Sequence, residues 1–299
     1  MKLKLVSYID IDEKKWDECV LSSKNPVVFA QYYYLNATCE NWQGLVLNDY
    51  EAVMPLTYGN KQYIKYLIQP PFTPQLGVFG KEKDAVLKLF MEYLIKNFKY
   101  INIELNSLNH NKYVSLKEKQ TFAINYSEGF SFNENTTRNI KKAKKVGVKV
   151  EEVENFKMIL KITNNLMIPW LVREIGIPKL HSLYFRELIK NSFSKGQLTV
   201  FKAYSEQEEL ISVGFFICNG KHAVYLKGVS IHKKDTSGSM HAIMAHAIEY
   251  FKDKAIWFDF GGGGIPGLAN FYKGLGGEPL IYYILKVNNL PWPLSKLKK

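Results

Sequence analysis

One order of elements is legible twice along this 299-residue chain, and that repetition restricts the fold more than any other feature. In the first copy, Gln43 to Leu47 and Ala52 to Thr57 read as a hairpin around the turn formers Asn48 and Asp49. Tyr63 to Ile68 reads as a third strand, ended by Pro70-Pro71-Phe72-Thr73-Pro74. From Asp84 to Phe98, apolar Leu87, Phe90, Met91, Leu94, Ile95 and Phe98 recur at helical spacing on one face. Tyr100 to Leu105 is a short strand with Glu104 near its end, and Gln120 to Ile124 is another. The second copy has strands from Gln197 to Tyr204, Leu210 to Cys218 and Lys221 to Val229. A helix follows from about Ser237, with Met240, Ile243, Met244, Ala247, Ile248 and Phe251 as its stripe. Ala255 to Phe260 is then a short strand carrying Asp259, and Glu278 to Lys286 closes the half. The pattern reads as an α+β fold with an internal duplication, its halves 1–130 and 131–299, although many α+β proteins alternate elements in this way.

An opening helix is expected after Asp10 or Asp12, running through Trp16 and Val20. Between the halves, helices are expected over Thr136 to Val146, Glu154 to Met167 and Ser182 to Phe193. Asn135 or Thr136 would cap the first, and Gly147 stands where a helix needs a left-handed residue. At 46% hydrophobic and 23% charged, the chain has enough apolar material for such cores.

Several chemistries are excluded or disfavoured. HExxH, a Cys/His zinc spacing, GxSxG and GK[ST] are all absent, so no metal site is expected. Three widely spaced cysteines suggest reduced thiols in the cytoplasm. No apolar run approaches the ~20 residues that cross a bilayer, and the first ten residues do not read as a signal peptide. The formal charge of +12 suits either an anionic partner (phosphate, cofactor, nucleic acid, acidic membrane surface) or a lysine-rich solvated exterior.

The sharpest local feature is Asp259-Phe260-Gly261-Gly262-Gly263-Gly264-Ile265-Pro266-Gly267. It follows a strand, and Pro266 suits a first helical turn. Bare glycines let backbone approach a ligand, or they make a plain flexible turn. The accidental GxGxxG has too little chain beyond it for a dinucleotide fold. At Ser237-Gly238-Ser239 a helix start can bind an anion or be capped by Thr236 or Ser237. Arg138, Lys141, Lys142, Lys144 and Lys145 form either a solvated helix face or a clamp for a phosphate-bearing acceptor or transfer RNA. Trp292 and the terminal lysines 296, 298 and 299 offer a peripheral contact with an anionic membrane, or a frayed end.

Two segments carry a resemblance to known proteins. Gly267 to Gly277, a short helix with Tyr272 before a closing strand, resembles the last motif of the GNAT acyltransferase superfamily. Phe271, Leu275 and Gly276 also resemble a run near the end of the Fem-type peptidyltransferases, which have two GNAT-like halves in tandem. Arg138 to Val148 resembles the segment that opens their second half. Tyr272 stands where Fem proteins usually carry Lys, with Lys273 adjacent. Over Asp235 to Met240, only Gly238 matches the GNAT pyrophosphate motif.

The resemblance implies an N-acyltransferase of two tandem GNAT-like halves, each a mixed, mostly antiparallel sheet flanked by helices, with 1–130 on the acceptor side and 131–299 on the donor side. A donor would lie between the strands ending near Gly228 and Asp259, lined by Gly228, Ser237, Gly238, Ser239, Gly261, Gly262 and Asn270. Backbone N–H groups there would hold its carbonyl, each worth about 2.7–4 kcal/mol in the transition state. Tyr272, Asp259 and Lys227 are the catalytic candidates: Asp259 or Glu104 as proton acceptor, Tyr272 as donor to the leaving group. Glu104, Arg138, Lys141 and Lys145 would face the amine acceptor, for which a cell-envelope precursor is one candidate. Acyl-coenzyme A is the favoured cosubstrate, with no tightly bound cofactor. Aminoacyl-tRNA and a non-catalytic binding role are the alternatives.

Overall fold

The computed structural model describes residues 2–61, 64–81, 83–231, 237–292 and 294–297. They form two compact units, residues 1–119 with 281–299, and residues 120–280. The sequence places the boundary at 130/131 and gives the last strand to the second half. By packing, the chain from Ile281 onward lies with the first.

The first unit runs β1 (Leu3–Ser7), α1 (Glu13–Ser22), α2 (Tyr32–Thr38), β2 (Trp42–Leu47), β3 (Ala52–Lys61), β4 (Ile64–Ile68), β5 (Phe79–Gly80), α3 (Asp84–Asn97) and β6 (Tyr100–Leu105). Asp12 caps α1 by accepting from the Lys15 N–H at 3.1 Å. The expected hairpin is β2–β3, turning through Asn48 at φ +51°, a conformation asparagine tolerates. The third strand was expected from Tyr63, which lies outside the described residues; β4 begins at Ile64. Along α3, Val86, Leu87, Phe90, Met91 and Leu94 are buried on one stripe. They pack on Leu45, Met54, Leu67, Ile101 and Ile103 of the sheet. Each such side chain contributes roughly 1.5–3 kcal/mol of burial.

Strand β7 (Leu116–Asn125) crosses the boundary at residue 120, and the second unit continues with α4 (Glu134–Lys145), β8 (Lys149–Glu152), α5 (Phe156–Ile162), a π turn (Thr163–Met167), α6 (Ile168–Arg173), α7 (Lys179–Ser194), β9 (Leu198–Tyr204), β10 (Leu210–Cys218), β11 (His222–Ser230), α8 (Ser239–Phe251), β12 (Trp257–Asp259) and α9 (Pro266–Gly274). Strands β13 (Glu278–Asn288) and helix α10 (Leu294–Leu297) end the chain. The cap of α4 is Asn133, whose Oδ1 accepts from the Thr136 N–H at 2.8 Å, and not Asn135 or Thr136. Gly147 does adopt φ +69°. The helix expected to Met167 is interrupted by the π turn. Pro169 explains the irregularity, because it cannot donate to the turn before it and its ring crowds that turn.

Both units contain an antiparallel meander (β2-β3-β4 and β9-β10-β11), a helix, and a strand parallel to the third (β4∥β6 and β11∥β12). The closing strands depart from expectation, for they are exchanged. Strand β7 pairs antiparallel with β12, Ile124 opposite Phe258, while β13 pairs antiparallel with β6, Leu285 opposite Ile103. Alternation in sequence marks a half-buried strand but does not name its neighbour.

Candidate functional site

Strands β11 and β12 pair at only three positions, His222 with Trp257, Ala223 with Phe258 and Val224 with Asp259. Beyond these, β11 continues to Ser230 bonded to β10, while the other chain turns away after Asp259. Pairing ends at Val224, and the opening lies beyond Tyr225, whose carbonyl still abuts Gly261. A β-bulge sits at the same place: Phe216 faces Tyr225 and Phe215 faces Lys227, so Leu226 is the extra residue. Bulges end pairing and re-aim side chains.

The equivalent opening in the first unit is closed by its own chain. Strands β4 and β6 pair at Leu67–Ile101 and Ile68–Asn102, and residues 69–75 then leave. Leu76 returns to bridge Leu105 and donates its N–H to the Glu104 carbonyl at 2.8 Å. Gln69 Oε1 accepts from the Glu104 N–H at 2.9 Å. The Glu104 carboxylate pairs with Lys119 at 2.6 Å.

On the α8 side of the second-unit opening, Gly228 has no Cβ because the Tyr225 hydroxyl and Met240 occupy that space. The glycine run is pinned at its start. Asp259 is 2% exposed, and its Oδ1 accepts from Thr121 Oγ1 at 2.9 Å and from the Gly261 N–H at 2.7 Å. Its Oδ2 lies 3.5 Å from His222 Nε2. Thr121 Oγ1 in turn accepts from the Gly262 N–H at 3.1 Å. Asp259 thus braces the turn from a buried position. Gly261 is at φ +69°, where a Cβ would lie 2.7 Å from the Tyr225 carbonyl oxygen. Gly262, Gly264 and Gly267 have open space in their Cβ directions.

Tyr272 is 5% exposed on α9. Its ring stacks on Phe260 at 4.7 Å and meets Tyr225 edge-on at 6.5 Å. Burial first, and the Asp259 charge second, push its hydroxyl up to about 12, so it keeps its proton near neutrality. Burial likewise raises Tyr225. Lys227 is half-buried on β11, and desolvation lowers its ammonium from the usual lysine range.

At the start of α8, Gly238 is left-handed at φ +78° and has no side chain to cap the helix. A Cβ there would fall 2.5 Å from the Asn139 carbonyl oxygen of α4. The Ser239 hydroxyl is buried and bonded to Ser212 Oγ at 2.6 Å, so it faces the interior and not an outside anion. Ser237 Oγ accepts from the Ser239 N–H at 3.3 Å. Asp235 and Thr236 lie outside the described residues, as do Lys298 and Lys299. Arg138 donates to Asn135 Oδ1 at 2.8 Å, while Lys141, Lys145 and Asn270 are exposed on α4 and α9.

Tyr225 thus touches Gly228, Gly261 and Tyr272, and Thr121 ties Asp259 to Gly262, while Lys227 lies on the same strand as Tyr225 but projects to the other face of the sheet. Glu104 belongs to the first unit. Thr121, His222 and Tyr225 escaped the sequence reading. Thr121 meets Asp259 across 138 residues, a separation no local pattern reports. Among the described residues, no group of three His, Cys, Asp or Glu side chains could hold a metal ion, and no helix is long and apolar enough to cross a membrane.

No protein-family model matches the sequence, and no curated protein matches it. Solved structures do match the fold. FemX is 14% identical, with a TM-score of 0.69 and 100% of both chains covered. A conserved protein of unknown function from Bacteroides thetaiotaomicron is 11% identical, with a TM-score of 0.65 over 96% of this chain and 99% of that one. L-PGS from Bacillus licheniformis is 11% identical, with a TM-score of 0.60 over 96% and 95%. The chain thus has the fold of FemX along its whole length, an α+β arrangement in which one order of elements occurs twice.

Proposed function

We propose that the protein transfers an acyl or aminoacyl group from an activated donor to an amine. The parting of β11 from β12 after three residue pairs carries this reading, because it opens unpaired strand edges beside bare glycine backbone. A donor carbonyl placed there could be polarised by main-chain N–H groups. Tyr272, which keeps its proton near neutrality, is suited to protonate the leaving atom. The amine nitrogen would bond to the carbonyl carbon as the bond from that carbon to the donor's sulfur or oxygen breaks.

Acyl-coenzyme A is the favoured donor, and the acceptor is a small amine or an amine-bearing cell-envelope precursor. The exposed cations of α4 favour a second reading, in which the donor is aminoacyl-tRNA. Calorimetry with acetyl-coenzyme A and filter binding with charged tRNA separate the two. Binding of one donor, followed by label transfer to an amine, supports the reading. A protein that binds neither is a non-catalytic member of this fold.

A further inference from the structure

We propose that Lys227 is the proton acceptor of the transfer, standing beside a β-bulge on the sheet face opposite α8, on the strand that the π turn packs against. This rests on the transferase reading above and assigns the acceptor side of the same opening.

Geometry fixes the face. Lys227 is the register partner of Phe215, and cross-strand partners project to one side. Phe215 meets Phe185 of α7 edge-on at 5.7 Å, so that side is the α7 side. The next pair, Gly214 and Gly228, faces α8, where Cβ atoms would meet Ile243 and Met240. Without the bulge, strict alternation would turn Lys227 toward α8 beside Tyr225. The inserted Leu226 turns it to the other side.

The π turn packs against β11 and buries Thr163 and Met167. Its residues, Thr163-Asn164-Asn165-Leu166-Met167, include no titratable group. On α7, Arg186 and Lys190 both approach Glu187, and His181 stacks on Tyr184. Among the described residues, desolvation by burial is the cause that lowers the Lys227 ammonium from the usual lysine range. A lysine so placed holds a larger neutral fraction than a solvated one and can act as a base. π turns and bulges both recur at functional sites.

The chemistry balances. A donor reaching through the opening from the α8 side would present its carbonyl to an amine on the α7 side. As the C–N bond forms, the nitrogen gives one proton to the Lys227 amine. The donor's C–S or C–O bond breaks, and the leaving atom takes a proton from Tyr272. Water carries a proton from the Lys227 ammonium to the tyrosinate, restoring both groups.

Two measurements test this. In the intact protein, acetylation of individual lysines by acetic anhydride is followed by mass spectrometry against pH. Lys227 should reach half-maximal reactivity at lower pH than exposed Lys141 and Lys145. Reactivity rising in parallel with theirs would overturn the proposal, whether or not any donor binds. Second, Lys227→Met should lower kcat about 100-fold with the donor KM unchanged and abolish the alkaline rise of kcat. Lys227→Arg, which keeps charge but cannot accept a proton, should not rescue it. Full turnover in Lys227→Arg would make the residue a fixed cation and sink the assignment. Absent donor binding in the wild type would instead be the failure of the transferase reading.

Discussion

The Thr121 hydroxyl donates to Asp259 Oδ1 at 2.9 Å, joining β7 to the end of β12 where the glycine run begins. The same carboxylate oxygen accepts from the Gly261 N–H, so one buried atom sets the geometry of the turn. Asp259→Ala should lower unfolding free energy by roughly 3 kcal/mol, because several buried partners lose their acceptor. Thr121→Val should cost about 1–3 kcal/mol by the same logic. Urea unfolding followed by tryptophan fluorescence gives both values; an unchanged midpoint would show that the turn is held elsewhere.

The glycines should divide by position. Gly261→Ala meets the Tyr225 carbonyl at a positive φ and should cost about 1–3 kcal/mol. Gly264→Ala has open space and should change stability by no more than about 0.5 kcal/mol. Gly262→Ala should be as stable as Gly264→Ala yet slow transfer, if the donor runs along that backbone. Paired melting curves and kcat/KM values separate the effects. Gly238 is unsuited to this test, since any side chain there strains φ +78° and strikes α4 whatever binds.

Tyr272 links the site to alkaline stability. Its folded pKa, about 12, lies above the ordinary tyrosine value of 10.0. The folded state therefore binds the proton more tightly. Its contribution is complete below pH 10 and is lost as pH rises toward 12, a change on the order of 2 kcal/mol. Tyr272→Phe should flatten that limb of the stability curve and reduce kcat more than it raises KM. A variant with unaltered kinetics would leave Tyr272 as a packing residue.

The α4 cations discriminate between donors. Lys141→Glu combined with Lys145→Glu should leave melting unchanged, because both side chains are exposed. Turnover with acyl-coenzyme A should stay within about twofold. If transfer RNA is the donor, losing two phosphate contacts should reduce the log–log salt slope of binding by about 1.8. Equal slopes for variant and wild type would remove α4 from the nucleic-acid reading.

Local physics was legible in sequence. The stripe Leu87-Phe90-Met91-Leu94 predicted α3, and Met240 to Phe251 predicted α8, because helical period and burial on one face are properties of neighbouring residues. Turn formers located the meanders, Pro266 opened α9 and Gly147 ended α4. The duplicated order of elements, and with it the α+β fold, followed from those signals.

Other decisions needed the tertiary structure. Whether β7 or β13 completes a given unit depends on which edge each strand meets, and a strand's own sequence does not name that edge. The extra Leu226 that sets the facing of Lys227 is visible only against β10. Asp259, read as a strand-end acid, became a buried brace because Thr121 and His222 arrive from distant parts of the chain. Period and propensity act over a few residues and determined the elements. Strand pairing, burial of charge and the opening between β11 and β12 arise from long-range contacts, so the tertiary structure alone decided them.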